Sequence, residues 1–222
     1  MAEQDTTQEQ PDATEGLAAS TTYPGTGEQG QTTPDNSRTG EADARVTAYG
    51  DCEEAGALVG VAIASATELP APVVRLLARV QNDLVDVSAD LGGSLEGHDV
   101  DDSAGRIDAG YVERLERACE HFSAELSQPP GPVLSGGTGT AAALHHARVV
   151  VRRAERATRV ALDRDPDRTN PLTSSYLDSL ARLLLILARS ANVEHGDTVW
   201  QPGLSARLDG IELWEPFPEP EE

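Results

Sequence analysis

The sequence predicts an all-α protein, a five-helix up-and-down bundle preceded by a disordered N-terminal head. Five segments repeat apolar residues at the three- and four-residue intervals of amphipathic helices. Aromatic residues make up only 4% of the 222 residues, so the core must consist mainly of Ala, Leu and Val, which pack well between helices. No segment alternates like a strand, and this favours a bundle of consecutive helices.

The ends of the chain have a composition that cannot bury a core. The first 44 residues contain nine acidic residues and one arginine, with many Thr, Gln, Gly and Pro. We therefore divide the chain into four parts. These are a disordered acidic head at 1–25, a possible nucleotide-binding loop at 26–44, a helical bundle at 45–200 and a Pro/Glu-rich tail at 201–222.

The first two helices are predicted from their apolar spacing and from helix-breaking residues. The first runs from about residue 45 to 66. The second follows Pro70 and Pro72, and Gly92-Gly93 ends it. The apolar stripe of the second helix comprises Val73, Leu76, Val80, Leu84, Val87 and Leu91.

The remaining three helices are separated by clear breaks. Asp108 can cap the third helix, and a Pro-rich run at 129–132 excludes helix after it. The fourth runs from about Thr138 to Leu162, and the fifth from about Thr173 to Asn192. The fifth is apolar on most faces, which is typical of a helix buried centrally or at a subunit interface.

Charge and cysteine content restrict the function classes. A net charge of −21 argues against nucleic acid and anionic membrane surfaces as partners, and no apolar run is long enough to span a bilayer. Cys52 and Cys119 lack metal-ligand spacing, so we interpret them as buried apolar groups and expect no metal site. The first residues lack the pattern of a signal peptide, so the expected location is the cytoplasm.

The fourth helix carries the pattern most indicative of chemistry. Arg148, Arg152, Glu155 and Arg159 are spaced to share one face, called here the arginine face. Guanidinium groups in such a row suit a polyphosphate, because each can bind two oxygens. The alternative is that these arginines pair with carboxylates of neighbouring helices. His145 and its neighbour His146 are interpreted as packed or surface histidines.

A glycine pair precedes this helix, and a second Gly-rich segment lies in the head. Gly136-Gly137 would let backbone approach a ligand closely. The segment 26–32 is rich in Gly and Thr like a phosphate loop, but it has neither the spacing nor the lysine of a Walker A motif. Taken alone, it has the composition of a linker.

Four stretches, in order along about 26–200, resemble the PduO-type corrinoid adenosyltransferases. The most specific contains Gly136-Gly137, Leu144-His145, Ala147-Arg148 and the run 152–156. The others are residues 45–50 followed by Glu53-Glu54, then 80–84, and then Tyr176-Leu177 with 187–189. The resemblance implies a five-helix bundle that forms a homotrimer with ATP and corrinoid at subunit interfaces. It also implies transfer of the 5′-deoxyadenosyl group of ATP to the cobalt of a reduced corrinoid, with Mg²⁺ present.

The resemblance also assigns candidate site residues. It implies catalytic positions for Arg152 and Asp178, with Arg152 holding the triphosphate and Glu155 and Asp178 contacting the nucleotide site. An intersubunit ion pair would join Arg148 to Glu53. The loop folding over ATP would include Thr26, Gly27 and Gly30, and the corrinoid would lie near Pro132, Gly136 and Gly137.

The chain departs from the family pattern at two of these places and at one further position. Glu41, Asp178 and Pro132 stand where the family has lysine, asparagine and phenylalanine, respectively. Replacing a phosphate-binding cation with carboxylates weakens the attraction for a triphosphate. Two alternatives to a functional enzyme are a catalytically silent paralogue that carries or regulates, and a structural bundle without a ligand.

Overall fold

The structure is a computed structural model that describes five stretches of the chain, residues 31–32, 39–40, 44–66, 69–92 and 106–204. The predicted loop residues Thr26, Gly27 and Gly30 lie outside these stretches, as do Glu41 and the tail from residue 205.

Five helices form a bundle, which confirms the predicted fold class. Two short strands, β1 (Gln31–Thr32) and β2 (Thr39–Gly40), pair antiparallel before the bundle, and the sequence did not predict them. The helices are α1 (Ala44–Ala64), α2 (Ala71–Gly92), α3 (Ala109–Ser123), α4 (Gly139–Arg164) and α5 (Pro171–Ser190).

Polar caps determine where the last three helices begin. Asp108 accepts hydrogen bonds from the backbone at the start of α3, as predicted. The Thr138 hydroxyl accepts from the N–H of Ala141, 3.1 Å away, and so caps α4. The Asn170 side chain accepts from Leu172 and is followed by Pro171, a favourable first helical residue. This cap is why α5 begins two residues earlier than predicted.

The helix α4 packs between α1 and α5, while α2 packs on α1 and α3 packs on α5. Leu183, Leu184 and Leu187 are fully buried within the single chain. The aliphatic run of α5 is therefore covered by its own bundle. Of the two predictions for this helix, central burial and a subunit interface, the structure shows central burial. The apolar stripe of α2 is shifted slightly from the prediction, because Leu77 rather than Leu76 is fully buried.

Both cysteines are free and buried, as predicted for apolar core groups. Burial raises the pKa of the Cys52 thiol to about 12, with the carboxylates of Asp51 and Glu53 adding to the effect. No helix in the described stretches is both long enough and apolar enough to cross a lipid bilayer.

Candidate functional site

The arginine face of α4 is organised by one buried carboxylate. Glu155 is only 1% exposed, yet its two oxygens lie 2.7 Å from Arg152 and 2.6 Å from Arg159. The three residues stand at helical intervals of three and four, so their side chains meet on one side of α4. Glu155 thus forms ion pairs with two partly exposed guanidinium groups and holds them side by side on α4.

A second carboxylate reaches the same face from α5. Arg152 Nη1 donates to Asp178 Oδ1 over 2.9 Å, and both side chains are about half exposed. The alternative interpretation, that the arginines pair with carboxylates of a neighbouring helix, is therefore correct for Arg152 in this state of the chain. A phosphate group binding here must displace Asp178 or share the guanidinium with it.

The neighbouring Arg153 points to a different helix. It forms ion pairs with Asp51 and Glu54 of α1, and the hydrogen bond to Asp51 is 2.9 Å long. These hydrogen bonds raise the pKa of Arg153. Successive helical residues are rotated by about 100°, so Arg153 joins α4 to α1 while Arg152 faces α5. Sequence reasoning did not separate these two roles.

The predicted partners Arg148 and Glu53 do not meet within one chain. In the described stretches, Arg148 forms no ion pair with Glu53, and its Nε atom is buried without a hydrogen bond. Glu53 is exposed on α1 and accepts a hydrogen bond from the Tyr49 hydroxyl, 3.2 Å away. His145, one turn before Arg148, is buried as predicted for a packed histidine. Burial and the charge of Arg148 lower the pKa of His145.

The Gly136-Gly137 turn is held by a side chain that sequence reasoning missed. The Asn192 side chain donates to the Gly136 carbonyl and accepts from the Thr138 N–H, each over 3.0 Å. Gly137 has a φ of +95°, and a Cβ atom at this position would overlap the Asn192 carboxamide. The turn therefore needs glycine on two counts and is packed against the end of α5.

The predicted corrinoid residue Pro132 lies on a two-stranded ribbon formed with the segment after α5. Val133 pairs antiparallel with Val199, the N–H of Leu134 donates to Thr198, and the N–H of Trp200 donates to Pro132, both over 2.8 Å. The residues after α5 thus hold both the Gly136-Gly137 turn and Pro132. All three predicted corrinoid residues are consequently anchored to one segment.

The two sets of candidate residues lie at different places along α4. Arg152 follows the helix cap Thr138 by 14 residues, which corresponds to a rise of roughly 21 Å. The turn and the arginine face are therefore well separated within one chain. A reaction between ligands held at both places requires the ligands to extend toward each other, or a second subunit to bring them together.

A polar groove adjoins the arginine face. It lies between α3 and α5, has a volume of about 490 Å³, and is lined by Arg159, Asp178, Ser174, Ser175 and Arg182 among others. Arg159 and Asp178 thus border both the groove and the cluster around Glu155. Glu113 and Glu116 also line the groove, so its carboxylates outnumber its arginines, and the part next to Arg159 is the part that suits an anionic ligand.

Comparison with known proteins identifies the family of this chain. The family model described as cobalamin adenosyltransferase matches residues 22–191. A corrinoid adenosyltransferase of Mycobacterium tuberculosis (strain H37Rv) is 41% identical over 182 residues, covering 82% of this chain and 93% of the relative. A cobalamin adenosyltransferase of Cupriavidus metallidurans is 34% identical, covering 79% and 91%.

Solved structures agree with these sequence matches. A phenylalanine-to-alanine variant of a PduO-type ATP:corrinoid adenosyltransferase from Lactobacillus reuteri, complexed with cobalamin and ATP, superposes with a TM-score of 0.70 at 26% identity. The alignment covers 81% of this chain and 98% of that chain. An arginine-to-lysine variant complexed with ATP gives a TM-score of 0.67 at 25% identity.

Proposed function

The chain belongs to the cobalamin adenosyltransferase family, and on this premise we propose that it transfers the 5′-deoxyadenosyl group of ATP to the cobalt of a reduced corrinoid. The observation that carries this proposal is the cluster of Arg152, Glu155 and Arg159 beside an open groove, within a chain matched by the family model over residues 22–191. Packing alone gives no reason to keep Arg152 and Arg159 partly exposed beside an open groove, and turnover is what separates an enzyme from a nucleotide-binding carrier.

The reaction is a single nucleophilic displacement. The electron pair of cobalt(I) attacks the ribose 5′ carbon, a cobalt–carbon bond forms, and the carbon–oxygen bond to the triphosphate breaks. The leaving triphosphate takes the bonding electrons, so no proton needs to be moved by a side chain. The protein must orient both substrates, stabilise charge on the triphosphate and exclude water from the cobalt.

The arginine face suits the triphosphate. Arg152 is 45% exposed and would bind the leaving group as its negative charge develops, while Glu155 keeps the guanidinium oriented. Asp178 lies beside Arg152 and would therefore face the bound nucleotide. We assign Thr26, Gly27 and Gly30 to a segment that closes over ATP, following the resemblance of that loop to the family pattern.

Magnesium would accompany the nucleotide. The described stretches contain no group of three or more His, Cys, Asp or Glu side chains that could hold a metal ion. Mg²⁺ commonly binds through substrate phosphates with one or two carboxylates, and Asp178 is exposed enough to serve as one of them. The ion would supply positive charge to the triphosphate.

Pro132, Gly136 and Gly137 would form the corrinoid side of the site. No heavy atom of the described residues, its chain neighbours aside, lies within 4 Å of where a Cβ atom of Gly136 would stand, so a large flat ligand could approach the backbone of the turn there. Pro132 lies two residues from the partly exposed Leu134 and offers an apolar surface without a group that could bind cobalt. Hydrogen bonds to the segment after α5 hold both parts in place.

A homotrimer with sites at its interfaces would bring the two substrates together. The separation of the turn from the arginine face supports this, since one chain does not bring them close. Arg148 would pair with Glu53 of another subunit, which would also give its buried Nε atom a polar neighbourhood. We place the enzyme in the cytoplasm, and its two free thiols are in keeping with a reducing compartment.

Reversing the charge of Glu53 should weaken the assembly. Glu53→Arg places two cations together at each interface, and adding Arg148→Glu restores an attractive pair in the opposite sense. We expect light scattering to show a trimer for the parent, smaller species for the single variant and a recovered trimer for the double variant. A stable parent monomer at micromolar concentration would remove the basis for an interface site.

Substituting Asp178 should alter nucleotide affinity in the favourable direction. Asp178→Asn removes a carboxylate that occupies Arg152 and repels phosphate, so ATP should bind roughly two- to tenfold more tightly, as expected for loss of one half-exposed ion pair. Asp163→Asn, at an exposed position near the end of α4, is the matched control. Calorimetry with ATP alone and with Mg²⁺ tests this, and weaker binding only with Mg²⁺ would instead identify Asp178 as a metal contact.

A direct assay tests the enzyme itself. The protein is incubated with ATP, Mg²⁺ and a chemically reduced corrinoid, and formation of the adenosylated corrinoid is followed by its absorbance. Reactions without ATP, or with the Arg152→Ala variant, serve as controls. We expect product only with the complete mixture. If the protein binds corrinoid but forms no product under any condition, it is a carrier or regulator and not an enzyme.

A further inference from the structure

A cavity between α2 and α3 shares no lining residue with the groove beside the arginine face. This α2–α3 cavity has a volume of about 340 Å³. Sites for small molecules commonly measure roughly 300–1,000 Å³. Its lining combines three apolar side chains with two cations, one carboxylate and one carboxamide, which are Leu76, Val80, Leu115, Arg79, Arg114, Asp83 and Asn82.

The carboxylate in this cavity is held by a buried tyrosine. The Tyr176 hydroxyl donates to Asp83 Oδ2 over 3.1 Å, and Tyr176 is fully buried. Among the described residues this is the one hydrogen bond to Asp83, so Oδ1 is available to a ligand. Burial raises the pKa of Asp83, while the hydrogen bond from Tyr176 and the charges of Arg114 and Arg79 act in the opposite direction. A cationic donor at Oδ1 would therefore further stabilise the ionised form.

Two arginines border the same cavity without a carboxylate partner. Within the described stretches neither Arg79 nor Arg114 forms an ion pair, although the chain has 38 acidic and 17 basic residues. The Cζ atom of Arg114 lies 4.4 Å from the centroid of the Tyr111 ring, and the Tyr111 hydroxyl donates to Asp86 over 3.0 Å. This anchored ring holds the guanidinium of Arg114 by a cation–π contact. Both arginines thus have N–H donors available for an anionic group.

These charges favour a ligand that carries both signs. A simple anion would be attracted by the two arginines and repelled by Asp83, and a simple cation would experience the reverse. A molecule with a carboxylate and an ammonium group satisfies all three side chains. The apolar wall adds a preference for an aliphatic group, since Val80 and Leu115 are buried beside the charged residues.

We propose that the α2–α3 cavity binds a small zwitterion of the α-amino-acid class with an aliphatic side chain. The ligand carboxylate lies at Arg79 and Arg114, its ammonium group donates to Asp83 Oδ1, and its side chain packs on the apolar wall. The proposal does not depend on adenosyl transfer, so the test of one leaves the other open.

The first test compares three probes by calorimetry with the full chain. They are L-leucine, 4-methylpentanoate, which lacks the ammonium group, and 3-methylbutylamine, which lacks the carboxylate. We expect L-leucine to bind about tenfold or more tightly than either analogue, because each analogue loses one charge-assisted contact. The assignment is wrong if L-leucine does not bind at millimolar concentration, or if it binds no more tightly than one of the analogues.

Substitution of Arg79 tests whether binding occurs in this cavity. Arg79→Ala should weaken L-leucine binding about tenfold or more, since it removes one of the two cations at the carboxylate. Arg75→Ala is the matched control. Arg75 is an exposed arginine one turn earlier on α2 that does not line the cavity, so its loss should leave the affinity unchanged. Equal losses for the two variants would mean that the amino acid responds only to the overall charge, and would overturn the assignment.

A change at Asp83 tests the role of the ammonium group. Asp83→Asn keeps an acceptor for Tyr176 and removes the negative charge, so L-leucine should bind more weakly and 4-methylpentanoate more tightly than to the parent. Circular dichroism checks that the variant is folded. A folded Asp83→Asn variant with the parental order of affinities would refute the proposed contact. If this variant does not fold, the comparison of Arg79→Ala with Arg75→Ala decides the result.

Discussion

Replacing Arg152 by alanine is expected to weaken ATP binding by about 1.5–3 kcal/mol, or roughly 10- to 150-fold, the usual size for a charge-assisted contact. The loss should be larger for kcat/KM than for binding alone, because charge on the triphosphate grows in the transition state. Isothermal calorimetry with ATP and steady-state kinetics with reduced corrinoid measure the two effects separately.

Two further substitutions make this result specific. Arg164→Ala removes the same charge from the last turn of α4, away from Glu155, and should leave ATP affinity almost unchanged. Arg152→Lys keeps the charge but loses the forked geometry, so it should fall between the parent and Arg152→Ala. Equal losses of ATP affinity for Arg152→Ala and Arg164→Ala would show that ATP binding depends only on the overall charge of the protein. The arginine face would then not be the ATP-binding site.

Replacing Gly137 by alanine is expected to lower the free energy of unfolding by about 2–4 kcal/mol. Two penalties add: a backbone with φ of +95° disfavours an L side chain, and the new Cβ would overlap the Asn192 carboxamide. The melting temperature should fall by roughly 5–15 °C for a chain of this size. Thermal and urea unfolding followed by circular dichroism give both quantities.

Gly139 provides a matched control in the same region. It is the first residue of α4, and a Cβ atom there would meet no heavy atom within 4 Å. Gly139→Ala should therefore leave stability unchanged or raise it by up to about 1 kcal/mol, since alanine is the better helix former. A Gly137→Ala variant as stable as the parent would mean that the turn can relax away from Asn192, and that close packing against Asn192 does not govern its shape.

A small number of local sequence features identify the family of this chain. The spacing in α4 and the order of four stretches were sufficient to identify the family, which the family model and the sequence relatives confirm. The site residues inferred from that resemblance stay predictions. Glu155 illustrates the limit, since its place on the arginine face followed from spacing, but its burial between two arginines required the structure.

The sequence by itself determined the helices and the faces of α4, because helical periodicity places residues three and four apart on one side whatever the surroundings. Caps such as Asp108 were visible for the same reason, since they act within one turn. Arg152 and Arg159 could therefore be assigned to one face before any packing was known. These features depend only on neighbours along the chain.

Only the tertiary structure decided which distant segments meet. Asn192 holds the carbonyl of Gly136 across 56 residues, and Trp200 reaches Pro132 across a ribbon of three residues on each side, too short to show a strand pattern. Arg153 turned toward α1 and Arg152 toward α5 because the two helices pack on different sides of α4. Such contacts depend on the packing and register of whole helices, so they cannot be predicted from the spacing of residues within one segment.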